Sequence, residues 1–158
     1  MKNLEMLAKG CAVAAGALLT LITLMTCASV IGRNTTGWTI VGDFELTGAA
    51  AGAAIALFMP WCQIRRGNIN VDFFTSWASP RNQHRLERLG ALLLGLVMAL
   101  MAWRASLGGL NAWRTQSGSM MLGFPEWIVY ACVVPAFVLT ALIALVQALR
   151  GFDRAEAA

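Results

Sequence analysis

Four long uncharged runs of apolar residues constrain this chain more than any other feature. They cover residues 10–32, 46–64, 89–103 and 127–149, and the segments between and beyond them carry all of the charge. A helix of about 20 apolar residues crosses the hydrocarbon core of a bilayer. The pattern predicts an all-α membrane protein, a single membrane domain over residues 1–158, with transmembrane helices at about 10–32, 44–64, 84–108 and 125–149.

The composition supports this class. Of the 158 residues, 58% are hydrophobic and 13% are charged, which is too little charge to cover a soluble domain. The net charge is +4, but apolar runs separate the basic residues, so we expect no nucleic-acid partner. The cysteines form no C-x-x-C pair, and we interpret them as small apolar residues. We therefore expect no metal and no cofactor on this chain.

The basic residues also predict the topology, because cytoplasmic loops are enriched in lysine and arginine. If both termini are cytoplasmic, the inner side holds Lys2, Lys9, Arg65, Arg66, Arg81, Arg85, Arg88, Arg150 and Arg154. The outer side then holds Arg33, Arg104 and Arg114. This bias favours an orientation with both termini in the cytoplasm.

The segment 65–72, with the sequence RRGNINVD, follows the second apolar run directly. Arg65 and Arg66 are expected at the membrane boundary, where they would bind headgroup phosphates or partner carboxylates. Asp72 would either cap the following helix or pair with one of these arginines. The aromatic residues that follow predict a short amphipathic interfacial helix at about 70–79, with Trp77 as its anchor.

The second span carries a stripe of small residues headed by a carboxylate. Glu45, Gly48, Gly52 and Ala56 recur at spacings of three and four, and the two glycines form a G-x-x-x-G pair. The stripe predicts a face on which another helix docks; the alternative is chance in an alanine-rich helix. In the fourth span, Pro135 is expected to kink the helix, with neighbouring helices covering the freed carbonyl.

The third uncharged run, 89–103, is short for a span. We therefore expect Arg104 near the far interface, where its side chain would reach the headgroups. The helix can continue from there towards Trp113 and Arg114, although Gly108 and Gly109 weaken it. No charged residue is then predicted near a membrane midplane, and no catalytic set can be assembled, so the chain is not expected to be an enzyme. The opposing hypothesis is a self-contained oligomeric four-helix exporter that uses Glu45 as its proton site.

Taken together, these residues resemble the small, DctQ-type membrane subunit of tripartite ATP-independent periplasmic (TRAP) transporters. The resemblance covers nearly the whole chain, and residues 65–72 resemble the family's R-R-G-x-I-x-V-D segment. Its other elements are Arg33 after the first span, Glu45 opening the second, Trp103-Arg104, Gln116-Ser117, Pro125 with Trp127, and Pro135.

The resemblance implies a non-catalytic subunit of a secondary importer in the bacterial inner membrane. A large membrane subunit would carry the substrate and sodium sites, and a periplasmic binding protein would deliver an organic acid, often a carboxylate. The small subunit would pack against the large one among membrane phospholipids and hold its scaffold in place. The substrate sites and sodium are therefore expected on other chains.

Overall fold

The computed structural model describes residues 2–38, 40–65, 67 and 80–150. Within these ranges the chain forms four helices, which we number α1 to α4: Lys2–Thr35, Asp43–Ile64, Pro80–Thr115 and Trp127–Arg150. All four are long and apolar enough to cross a membrane, which confirms the predicted all-α class with four candidate spans. The predicted interfacial helix at 70–79 lies outside the described residues, and it stays a prediction, as does the orientation of the termini.

Two helices are longer than the sequence suggested. α1 begins at Lys2, and α3 continues through Gly108 and Gly109 to Thr115. The helix continues past these glycines to Trp113 and Arg114, as the sequence allowed, and the glycines let α4 approach closely. A Cβ atom at Gly109 would lie 2.9 Å from the Cβ of Tyr130. Packing against Tyr130 thus outweighs the cost of about 1 kcal/mol for glycine in a helix.

The helices are arranged in a row rather than in a closed bundle. α1 packs on α2, α2 packs on α4, and α4 packs on α3, whereas α1 and α4 make only slight contact. In the most apolar stretch of each helix, 28% of the residues are buried in α2 and α4, against 11% in α1 and 17% in α3. Since successive spans alternate in direction, the two central helices, α2 and α4, run parallel.

Each outer helix is buried along one narrow stripe of mostly small residues. In α1 the buried positions are seven residues apart: Ala8, Ala15, Ile22 and Ser29. In α3 the stripe steps by four, seven, seven and three residues: Ala91, Gly95, Ala102, Gly109 and Ala112. A seven-residue repeat keeps a seam facing one partner helix, and small side chains let the backbones approach closely. The remaining surface of α1 and α3 is largely exposed.

The threonines of α1 bond mainly within their own helix. Thr20 and Thr23 donate to the carbonyls of Gly16 and Leu19, and Thr26 donates to its own helix as well as lying 3.4 Å from the hydroxyl of Thr47. These bonds satisfy the hydroxyls without a partner outside the chain.

The proline of α4 lies on an exposed side of the helix. Pro135 lies inside α4, and it is exposed, as is Ala131, whose carbonyl the proline leaves without its helical donor. The kink at Pro135 and the covering of the freed carbonyl by neighbouring helices stay predictions. The fully buried proline is instead Pro60 in α2, which the sequence did not single out as a core residue.

Candidate functional site

Glu45 joins the hairpin formed by α1 and α2 to the hairpin formed by α3 and α4, at one end of the row. Its carboxylate accepts the backbone N–H of Met121 at 3.1 and 3.2 Å and that of Leu122 at 3.4 Å. These two residues belong to the loop between α3 and α4. Gly42, just before α2, has a φ of 76°, and a side chain there would overlap Leu122. Glu45 therefore binds its own chain, and its carboxylate does not head a face that waits for a partner.

Arg33 also has a partner within the chain. Its Nη2 lies 3.7 Å from Oδ2 of Asp43, and the hydroxyl of Ser29 donates to the same oxygen at 2.6 Å. These contacts join the end of α1 to the beginning of α2. An exposed ion pair contributes little by itself, so the short bond from Ser29 is the stronger part of this junction. Sequence reasoning singled out Arg33 but did not identify Asp43 as its partner.

The predicted small-residue stripe of α2 divides into two parts. Ala56 is buried in the chain, whereas Gly48 and Gly52 are exposed, with no atom within 4 Å of the position of an added Cβ. These glycines share an exposed face with Phe44, which is 88% exposed, and Ile55, which is 61% exposed. We call Phe44, Gly48, Gly52 and Ile55 the open face. It is a shallow notch between two bulky side chains, and the described chain does not fill it.

A buried amide pair between α2 and α4 was missed by sequence reasoning. Gln63 Nε2 donates to Gln147 Oε1 at 2.8 Å, and Gln147 Nε2 donates to the backbone carbonyl of Gln63 at 3.2 Å. The two side chains are 6% and 8% exposed. Each residue lies twenty positions after the first residue of its helix, and they are the only side-chain amides in the four uncharged runs. These matching positions of two isolated amides were the sequence signal from which the pair could have been predicted.

Of the predicted membrane-boundary residues, the structure describes Arg65 and Arg104. The guanidinium of Arg65 lies 4.8 Å from the centre of the Trp61 ring, which is a cation–π contact within the same turn of chain. Arg66, Asp72 and Trp77 lie outside the described residues. Arg104 is exposed, and α3 continues for eleven residues beyond it. Its expected position near the far interface stays a prediction.

The polar side chains described above connect helices and loops of this chain. No group of three or more His, Cys, Asp or Glu side chains in the described ranges could hold a metal ion. An open cleft of about 400 Å³ lies between the loop that joins α1 to α2 and the loop that joins α3 to α4. Its lining is mostly apolar: Ile40, Val41, Leu46, Leu122, Phe124 and Pro125. The carboxylate that borders this cleft, Asp43, is already bonded to Ser29.

These features define a class: a four-helix membrane protein whose polar side chains join its own helices while one helix face stays open. A comparison with protein families gives the particular family. The family described as tripartite ATP-independent periplasmic transporters, DctQ component, matches residues 22–154, which is most of the chain. The chain therefore belongs to the DctQ family and is a small permease component of a TRAP transporter. No curated protein and no solved structure matched the chain.

Proposed function

We propose that this chain is the non-catalytic scaffold of its transporter, and that it packs against the large membrane subunit through the open face of α2. In this proposal the large subunit imports an organic acid, a carboxylate, together with sodium, and a periplasmic binding protein delivers it. The assembly lies in the bacterial inner membrane among phospholipids, with both termini of this chain in the cytoplasm. This chain binds neither sodium nor substrate.

The open face is the observation that carries the proposal. Helices associate in lipid through close van der Waals packing, and exposed glycines let a second backbone approach. Gly48 and Gly52 provide that approach, and Phe44 and Ile55 border it along the helix. The polar groups at this end of α2, Asp43 and Glu45, are already bonded within the chain. Shape, rather than charge, is therefore what α2 offers to a partner.

The structure gives no support to the proton-exporter hypothesis. A proton site should alternate between charged and neutral forms, but Glu45 accepts backbone N–H groups that favour its charged form. Its position in the first turn of α2 also places it at the end of the span, away from the interior.

Co-purification with the large subunit tests the proposal. The wild-type chain should retain the large subunit in mild detergent, and Gly48→Leu should reduce that retention because the added side chain fills the notch. Gly10→Leu is the matched control, since Gly10 on α1 is also exposed and unobstructed, and it should retain the partner like the wild type. Equal retention by both variants would show that the open face contacts lipid. Substrate uptake by the isolated chain in liposomes would overturn the scaffold role.

A further inference from the structure

Arg104 lies deep within the bilayer-spanning part of α3. Contacts with α4 fix the register of the two helices: Gly109 packs against Tyr130, and Gly95 packs against Leu145. Arg104 lies between these contacts, five residues from Gly109. With a rise of about 1.5 Å per residue, its Cα is about 12 Å inside the level of Trp127, where α4 begins.

The charged residues that flank α4 indicate where the level of Trp127 lies in the membrane. The span Trp127–Leu149 has 23 residues and contains no charged residue. Its length of about 34 Å only slightly exceeds a hydrocarbon core of about 30 Å, so Glu126 and Arg150 mark the two boundaries. Arg104 therefore lies about 5 Å from the midplane, by the same helical rise. This level is nearer the midplane than the sequence predicted for any charge, because the uncharged run 89–103 is only part of the third candidate span.

The described residues of the chain do not neutralise this charge. Arg104 is exposed, and among the described residues it makes no hydrogen bond and no ion pair. Its neighbours on the same side of the helix, Leu100 and Leu107, are 61% and 47% exposed. Helical side chains lean towards the N-terminus, which for Arg104 is away from the nearer membrane surface. Headgroup phosphates are thus hard for this side chain to reach, and an uncompensated charge at this depth is costly.

We infer that Arg104 binds an Asp or Glu side chain on a membrane-spanning helix of the large subunit. This inference rests on the proposed function and adds a second contact, on α3, to the open face of α2. The planar guanidinium can donate two parallel bonds to one carboxylate, which fixes the depth and rotation of the partner helix. The surrounding leucines exclude water, so the pair is stronger than it would be at a surface.

The test uses the full chain, co-expressed with the large subunit and purified in mild detergent. Arg104→Leu should retain at least about tenfold less large subunit than the wild type, as expected for loss of a buried charge pair. Arg104→Lys should retain an intermediate amount because it keeps the charge. Arg114→Leu is the matched control, since Arg114 is also exposed but lies next to the last residue of α3. The amount of each variant in the membrane is measured first, so that lost expression is not read as lost binding.

A photo-crosslinking residue at Leu107 then identifies the partner group. Crosslinks should map to a large-subunit helix that carries an acidic residue, and neutralising that residue should restore binding of Arg104→Leu. If the wild type and Arg104→Leu retain equal amounts, and Leu107 crosslinks to lipid, Arg104 binds phospholipid phosphate and the inference is overturned while the scaffold role stands. Absence of rescue by the neutralised acid would also overturn the pairing. If even the wild type retains no large subunit, the proposed function fails together with the inference.

Discussion

Replacing Gln147 with leucine should destabilise the chain measurably, although the change makes α4 more apolar. The substitution removes both bonds of the amide pair: the one accepted from Gln63 Nε2 at 2.8 Å and the one donated to the Gln63 carbonyl at 3.2 Å. It leaves the amide of Gln63, which is 6% exposed, facing an apolar side chain. A net contribution of about 0.5–1.5 kcal/mol for each of the two lost hydrogen bonds gives an expected loss of about 1–3 kcal/mol in unfolding free energy.

A double-mutant cycle separates the pair from its surroundings. The cycle isolates the bond between the two side chains, because Gln63→Leu keeps the backbone carbonyl to which Gln147 donates. Interhelical hydrogen bonds in membranes average about 0.6 kcal/mol and reach about 1.7 kcal/mol, so the coupling should lie between about 0.6 and about 1.7 kcal/mol. Gln63→Leu, Gln147→Leu and the double variant are unfolded reversibly by SDS titration in mixed micelles, and loss of helical circular dichroism is followed. The double variant should be more stable than the sum of the single effects predicts.

Thr140→Val is the matched control for this cycle. Thr140 is also a buried polar residue of α4, but its hydroxyl donates at 2.8 Å to the carbonyl of Ala136 in the same helix. Combined with Gln63→Leu, it should be additive within about 0.5 kcal/mol. A coupling between Gln63 and Gln147 that is no larger than this control value would refute the assignment of the pair as the polar contact between α2 and α4.

Two further predictions concern one contact between the hairpins and one contact within the hairpin of α3 and α4. Glu45→Gln should speed hydrogen exchange of the Met121 and Leu122 amides, because a neutral amide oxygen accepts these bonds more weakly; unchanged exchange would show that the carboxylate does not hold the loop. Gly109→Leu should destabilise the isolated chain by about 1–3 kcal/mol, since its side chain must displace Tyr130, and an unchanged SDS unfolding midpoint would contradict the packing of α3 on α4.

The sequence was sufficient to predict the four candidate spans because each contains a long apolar run with few or no charges. Its signal for helix ends was poorer, since a helix can continue beyond the membrane without any change in hydropathy. α3 shows this: its uncharged run stops at 103, but the helix ends at Thr115. The depth that we infer for Arg104 depends on this continuation of the helix. The register that gives the depth comes from contacts such as the one between Gly109 and Tyr130.

Side-chain roles were harder to predict than helices. The sequence singled out the stripe that contains Glu45 and Gly48, but helical spacing cannot tell whether a carboxylate binds a loop of the same chain or another protein. Glu45 binds the loop between α3 and α4, and Gly48 faces outward. The amide pair depends on α2 and α4 being neighbours, and a sequence of alternating spans does not determine which of them are adjacent.

The order of the helices in the row has a consequence for how the chain is assembled. Each hairpin, α1 with α2 and α3 with α4, joins helices that are consecutive in the sequence, so each can form as soon as its second helix is inserted. The seam between α2 and α4 cannot close until both hairpins are in the membrane. The amide pair is therefore a late folding contact. Variants of Gln63 or Gln147 should leave insertion intact and give hairpins that are correctly formed but incompletely joined, which is a state that membrane quality-control proteases can recognise.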